Sequence, residues 1–207
     1  MERTTRTTLH LALGGTVLLA LVVSGLRPYD RLTWFLEVAP ILIAAPVLLA
    51  TYRRFPLTDL LYVLIALHAL VLILGGAYTY ARVPLGAWAQ AAFDLSRNPY
   101  DKLGHFMQGF VPFLVAREIL LRGRHVAGAR MTNFLSLCAV LAVSAFYELV
   151  EWWTALAEGE DAEAFLGTQG DPWDTQSDMF MALVGGLAAL LLLARLHDRQ
   201  IARIARA

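Results

Sequence analysis

Asp101 and His105 stand four residues apart in NPYDKLGH, a spacing that puts both on one face of a helix. Glu148 and Glu151 stand three apart in YELVEWW, again on adjoining positions of one helical face. Downstream, GTQGDPWDTQSDM carries Asp171, Asp174 and Asp178, the last two four apart. One imidazole among several carboxylates is the ligand chemistry of Zn, Mn or Fe sites. The same carboxyl groups can serve as general acid and base. His105, Glu148, Glu151, Asp174 and Asp178 are therefore the candidate metal ligands. Glu148, Glu151 and Asp171 are the candidate catalytic acids and bases, with Asp101 and Lys102 in support.

Three readings fit this pattern. In the first, the cluster holds a divalent metal, Zn, Mn or Fe, that activates water for a reaction on lipid or envelope precursors. In the second, Lys102 and His105 neutralise the acids, and the cluster locks a helix bundle without catalysing anything. In the third, the chain of Asp, Glu and His carries protons or cations. Against a complete path, the opposite half of these segments offers only the adjacent Arg117 and Glu118. Covalent catalysis has no support, because G-x-S-x-G and the phosphate-cradling G-x-x-x-x-G-K are both missing. The lone Cys138 permits neither an internal disulfide nor a CxxC motif.

The elements that must position these groups are membrane helices. The chain is 58% hydrophobic and 16% charged, against about 25% charged for a soluble domain. A span needs about 20 apolar residues, and six runs meet that length: 9–26, 34–52, 60–80, 102–121, 132–155 and 178–195. The expected fold is all-α, a six-span polytopic bundle forming a single membrane domain over residues 1–207. Basic residues are retained on the cytoplasmic side. With the N-terminus inside, the inner segments hold Arg3, Arg6, Arg53, Arg54, Arg122, Arg124, Arg130, Arg195, Arg199, Arg203 and Arg206. The outer loops hold only Arg27, Arg31, Arg82 and Arg97. Both termini are thus expected in the cytoplasm, and the His/Glu/Asp cluster faces outward. Trp34, Trp88, Trp152, Trp153 and Trp173 all fall near the outer interface, where tryptophan concentrates. Residues 1–25 imitate a secretory signal, but the apolar run is long and lacks an A-x-A site, so retention is expected.

Membrane lipid is the expected partner. A formal net charge of zero leaves no basic surface for nucleic acid, and protein partners are not legible. Gly14-Gly15 and Gly75-Gly76 suit close helix approach. Segment 85–95 reads as a short surface helix, and 195–206 as an amphipathic helix against the inner leaflet. The acidic run 158–163 reads as a solvated loop. His68 reads as a histidine bonded to a neighbouring helix, Glu37 as either a cluster member or an interfacial residue, and Arg117 and Glu118 as snorkelling groups.

NPYDKLGHFMQGF, REIL at 117–120, FYELVEWW and FLGTQGDPWDTQSDM together resemble the YjdF-like family of uncharacterised bacterial inner-membrane proteins. The resemblance covers about residues 98–193 and implies a polytopic inner-membrane protein without an assigned activity. DKLGHF, followed by acids in later helices, is also similar to VanZ-like proteins, a group linked to glycopeptide resistance.

Overall fold

The computed structural model describes residues 3–158 and 168–205, and every described element is helical. The order is α1 (Arg3–Leu26), α2 (Arg31–Thr51), α3 (Asp59–Tyr78), a 3₁₀ turn (Tyr80–Arg82), α4 (Pro84–Phe93), α5 (Tyr100–Arg122), α6 (Ala129–Glu158) and α7 (Asp174–Ile204). Helices follow from the solvent. Hydrocarbon offers backbone N–H and C=O groups no partner, so each segment must satisfy them internally. α1, α2, α3, α6 and α7 are long and apolar enough to cross a membrane. α5 matches them in length at 23 residues but carries Asp101, Lys102, His105, Arg117 and Glu118. It is the axis of the bundle, packed against α7, α6 and α3, and those helices shield its charges from lipid.

Apolar burial gives little drive for association in lipid, so close backbone approach and polar bonds must hold the helices together. A Cβ on Gly109 would lie 1.8 Å from the Ala182 carbonyl oxygen, and one on Gly185 would lie 2.0 Å from that of Phe106. These glycines seat α7 on α5. Gly75 and Gly76 are close-approach points as expected, against the Tyr80 ring and against Glu37 and Trp34. Gly14 and Gly15 are not: nothing lies within 4 Å of a Cβ at either. Between the two ends of α5, Phe113 and Leu114 form a core with Leu57, Leu61, Val140, Ala182 and Ala189.

Segment 85–95 is largely the short helix expected, α4, with Trp88 and Phe93 exposed. The expected separate helix at 195–206 is instead the continuation of α7, whose 31 residues span about 46 Å. That segment rests on protein. His197 is fully buried, Asp198 pairs with Arg117 at 2.7 Å, and Gln200 accepts from the Leu60 N–H. The acidic run 158–163 lies outside the described residues, apart from the helical backbone of Glu158.

Candidate functional site

Three short segments gather the polar groups at the Tyr100 end of α5. Asn98 is buried and donates to the carbonyls of Ala81 and Val83, while its Oδ1 accepts from the Tyr100 N–H and so fixes the start of α5. Gln169 brackets the same residue, accepting from the Asn98 N–H and donating to its carbonyl. This pair ties the loop before α7 to the loop before α5. On the other flank Thr79 adopts φ 59°, which turns the chain out of α3 and seats the Tyr80 ring against Gly75 and Gly104.

The acids divide into two groups. Lys102 Nζ donates to Asp174 at 2.7 Å, to Asp178 at 2.6 Å and to the Ser177 hydroxyl. Arg97 bonds Asp174 and the Thr168 carbonyl, and lies 3.7 Å from Asp171. Burial works against the Arg97 charge, but the bond to Asp174 and the fields of Asp101 and Asp171 outweigh it and hold the guanidinium pKa above its ordinary value. Asp171 also accepts from the Trp173 N–H, shaping the turn into α7. Asp171 and Asp174 are thus paired with fixed cations, and Asp178 lies between Lys102 and His105.

His105, Glu148 and Glu151 form the second group. Each offers a ligand atom within 4.8 Å of the other two, and Asp101, His105 and Asp178 form a second such trio. His105 Nδ1 lies 3.9 Å from Glu148 Oε1 and 3.0 Å from Gln108 Oε1, while Nε2 faces Asp101 at 3.5 Å and Asp178 at 3.9 Å. Glu148 and Asp101 are buried, and neither Glu148 Oε1 nor Asp101 Oδ2 has a hydrogen-bond partner among the described residues. A buried carboxylate oxygen without a partner is costly, so it points to a cation or a proton.

A cavity of about 140 Å³ opens beside this group, walled by Glu37, His68, Tyr80, Asp101, His105 and Glu151 among others. Glu37 is buried and accepts from the Tyr147 hydroxyl at 3.1 Å, so it belongs with the cluster and not with the interface. His68 also departs from expectation, since its buried Nε2 has no hydrogen-bond partner among the described residues. Arg97, Gln108 and Tyr147 escaped the sequence reading. Gln108 stands three residues after His105, a spacing that shares a helical face, and Tyr147 adjoins Glu148, whereas Arg97 lies in the loop before α5, where helical spacing gives no signal.

The opposite end of α5 carries a separate cluster. Arg117 and Glu118 do not snorkel: both are buried. Glu118 accepts from Thr58, from Arg122 at 2.6 Å and from His197 at 2.9 Å, and Arg117 pairs with Asp198 and Asn133. The two neighbours have mostly different partners, and His197 joins them, with Nδ1 3.3 Å from Arg117 and Nε2 2.9 Å from Glu118.

Seven helices among the described residues, five of them able to span a bilayer, with charge gathered on the axial one, define a polytopic helical membrane protein. The family described as predicted membrane protein (DUF2238) matches residues 9–199, and the chain belongs to it. The chain is 60% identical over 188 residues to the inner membrane protein YjdF of Escherichia coli (strain K12), covering 91% of this chain and 90% of that relative. Of the two resemblances in the sequence, the YjdF-like one is thereby established, and with it residence in the bacterial inner membrane. No solved structure matches.

Proposed function

We propose that this protein is a metal-dependent membrane enzyme acting on lipid or envelope precursors. It works as one membrane domain over residues 1–207, crosses the bilayer six times with α5 as the fourth span in chain order, and keeps both termini in the cytoplasm. The basic-residue count then turns His105 toward the outer leaflet.

The observation that carries the reading is Glu148 Oε1, buried and without a hydrogen bond, beside His105 and Glu151. No Lys or Arg forms an ion pair with Glu148 or Glu151 among the described residues, whereas Lys102 and Arg97 occupy Asp174 and Asp178. The cation therefore belongs with His105, Glu148 and Glu151, and Asp174 and Asp178 serve as its outer support. Metal–ligand distances of about 2.0–2.2 Å put opposed ligand atoms at most about 4.4 Å apart, so small side-chain movements would close the trio. Asp101, next to His105 Nε2, can hold the ring so that Nδ1 faces the metal, as carboxylates behind metal-bound histidines commonly do. A bound metal would supply an activated water. Glu151, at the cavity wall, is placed to exchange a proton with it.

A second reading, a polar lock without catalysis, draws support from the three donor bonds of Lys102 and the pairing of Arg97 with Asp174. Conduction finds less support, because the apolar layer of Phe113 and Leu114 separates the two charged ends of α5. Elemental analysis of detergent-purified protein separates the first two readings. The enzyme reading expects about one metal per chain in the wild type and none in His105→Ala or Glu148→Gln. Metal-free wild-type protein would leave the lock.

A further inference from the structure

We infer that the cavity beside the cluster binds the primary ammonium headgroup of a phospholipid, which enters from the bilayer between α2 and α6. The inference rests on the proposed site for location and adds its substrate class. Glu37 is the key group. It is buried in a membrane helix, and among the described residues it has no Lys, Arg or His partner within ion-pair distance; it accepts from the Tyr147 hydroxyl and lies beside that of Tyr80. A carboxylate in such surroundings needs a cation or a proton. Asp101, on the same cavity, is also buried; its Oδ2 makes no hydrogen bond among the described residues, with Lys102 at 3.9 Å and Arg97 at 4.0 Å as its cations. The rings of Tyr80 and Tyr147 complete the wall, and aromatic faces attract ammonium ions. His68 Nε2 supplies a further unpartnered buried nitrogen for a headgroup amine or hydroxyl. Among the described residues, three carboxylates (Glu37, Asp101 and Glu151) and no lysine or arginine line this cavity, a balance that favours a cationic headgroup.

The route is equally specific. Pro40, Leu72, Pro112 and Val143 form the apolar side of the cavity, and Val143 is 49% exposed on the lipid-facing surface of α6. α2 packs mainly on α3, and α6 on α5 and α7, and the Tyr147–Glu37 bond joins α2 to α6. Acyl chains would remain in lipid while the ammonium replaces the Tyr147 hydroxyl on Glu37.

The test uses full-length protein in detergent, stripped with chelator, with dioctanoyl phosphatidylethanolamine and dioctanoyl phosphatidylglycerol added separately. Thermal unfolding is followed in the wild type, Glu37→Gln and His68→Phe. Phosphatidylethanolamine should raise Tm in a saturable way and phosphatidylglycerol should not, because ligand that binds only the folded state stabilises it. Glu37→Gln should weaken apparent affinity about tenfold or more, the size of one charge-assisted bond. His68→Phe, which fills the cavity, should abolish the shift while keeping the unliganded protein folded. Equal shifts from both lipids, or an unaltered response in Glu37→Gln and His68→Phe, would overturn the inference. Metal content measured on the same preparations before stripping keeps the two readings apart. Lost lipid preference with metal retained removes only this inference, and a phosphatidylethanolamine shift in protein that never held metal removes only the enzyme reading.

Discussion

Lys102 and Glu148 sit in the same cluster but answer different questions. Lys102 holds Asp174 and Asp178, both buried, so Lys102→Met leaves them without their shared cation. Breaking one side of a buried ion pair typically costs about 3–5 kcal/mol, and thermal unfolding in detergent should show that loss. Glu148→Gln should behave oppositely in chelator-treated protein. It removes a buried carboxylate oxygen that has no hydrogen bond, so Tm should hold or rise. A fall as large as that of Lys102→Met would favour the polar lock. The types and spacings of Asp101, His105, Glu148 and Glu151 were legible because helical periodicity fixes which side chains share a face. The partition of the acids was not, since it depends on Lys102 of α5 and Arg97 of the loop before it reaching across to α7. Nor was the burial of Arg117 and Glu118, which depends on His197 and Asp198 arriving from the far end of the chain.

Helices in this bundle touch through small residues, and which glycines matter depends on the neighbour. Gly185→Ala pushes a methyl into the Phe106 carbonyl and should cost about 1–3 kcal/mol, while Gly14→Ala meets nothing and should leave Tm unchanged or slightly raised. Sequence shows both as glycine pairs in apolar runs. Only the packing distinguishes a seam from a lipid-facing surface. α2 begins at a cap that is local, and therefore readable: Asp30 accepts from the Thr33 N–H at 2.7 Å. That bond, opposed by partial burial, holds the Asp30 pKa below its ordinary 3.8. A depressed carboxylate stabilises the fold above its unfolded pKa, and the contribution disappears as pH falls below about 4 through the folded value. Asp30→Ala should cost about 0.5–2 kcal/mol at neutral pH and progressively less in acid, as thermal unfolding across that range would show. The Arg/Ile alternation of 195–206 marks an amphipathic helix, but not its continuity with α7 or the bonds by which His197 and Gln200 tie it to α5 and α3.

At the scale of the whole molecule, hydropathy found every long helix, because about 20 apolar residues in a row have few other options, but it missed the polar ends of α1 and α7, which extend six and nine residues past the apolar runs. α5 is the instructive member. Its length reads as a span, but it is more polar than the five apolar helices, and its charges are tolerable because α3, α6 and α7 surround it. Orientation can be tested in a Cys138→Ala background. Ser96→Cys should react with a membrane-impermeant maleimide added to intact spheroplasts, and Arg124→Cys should react only after lysis. The reverse pattern would turn the cluster toward the cytoplasm. The central claim is a metal held by His105 with Glu148 and Glu151, and the sharpest test is electron spin-echo modulation of protein loaded with one equivalent of Mn²⁺. The account predicts nitrogen modulation from a directly bound imidazole, lost in His105→Ala and retained in His68→Phe. Mn²⁺ that fails to bind, or nitrogen modulation that survives His105→Ala, would contradict it.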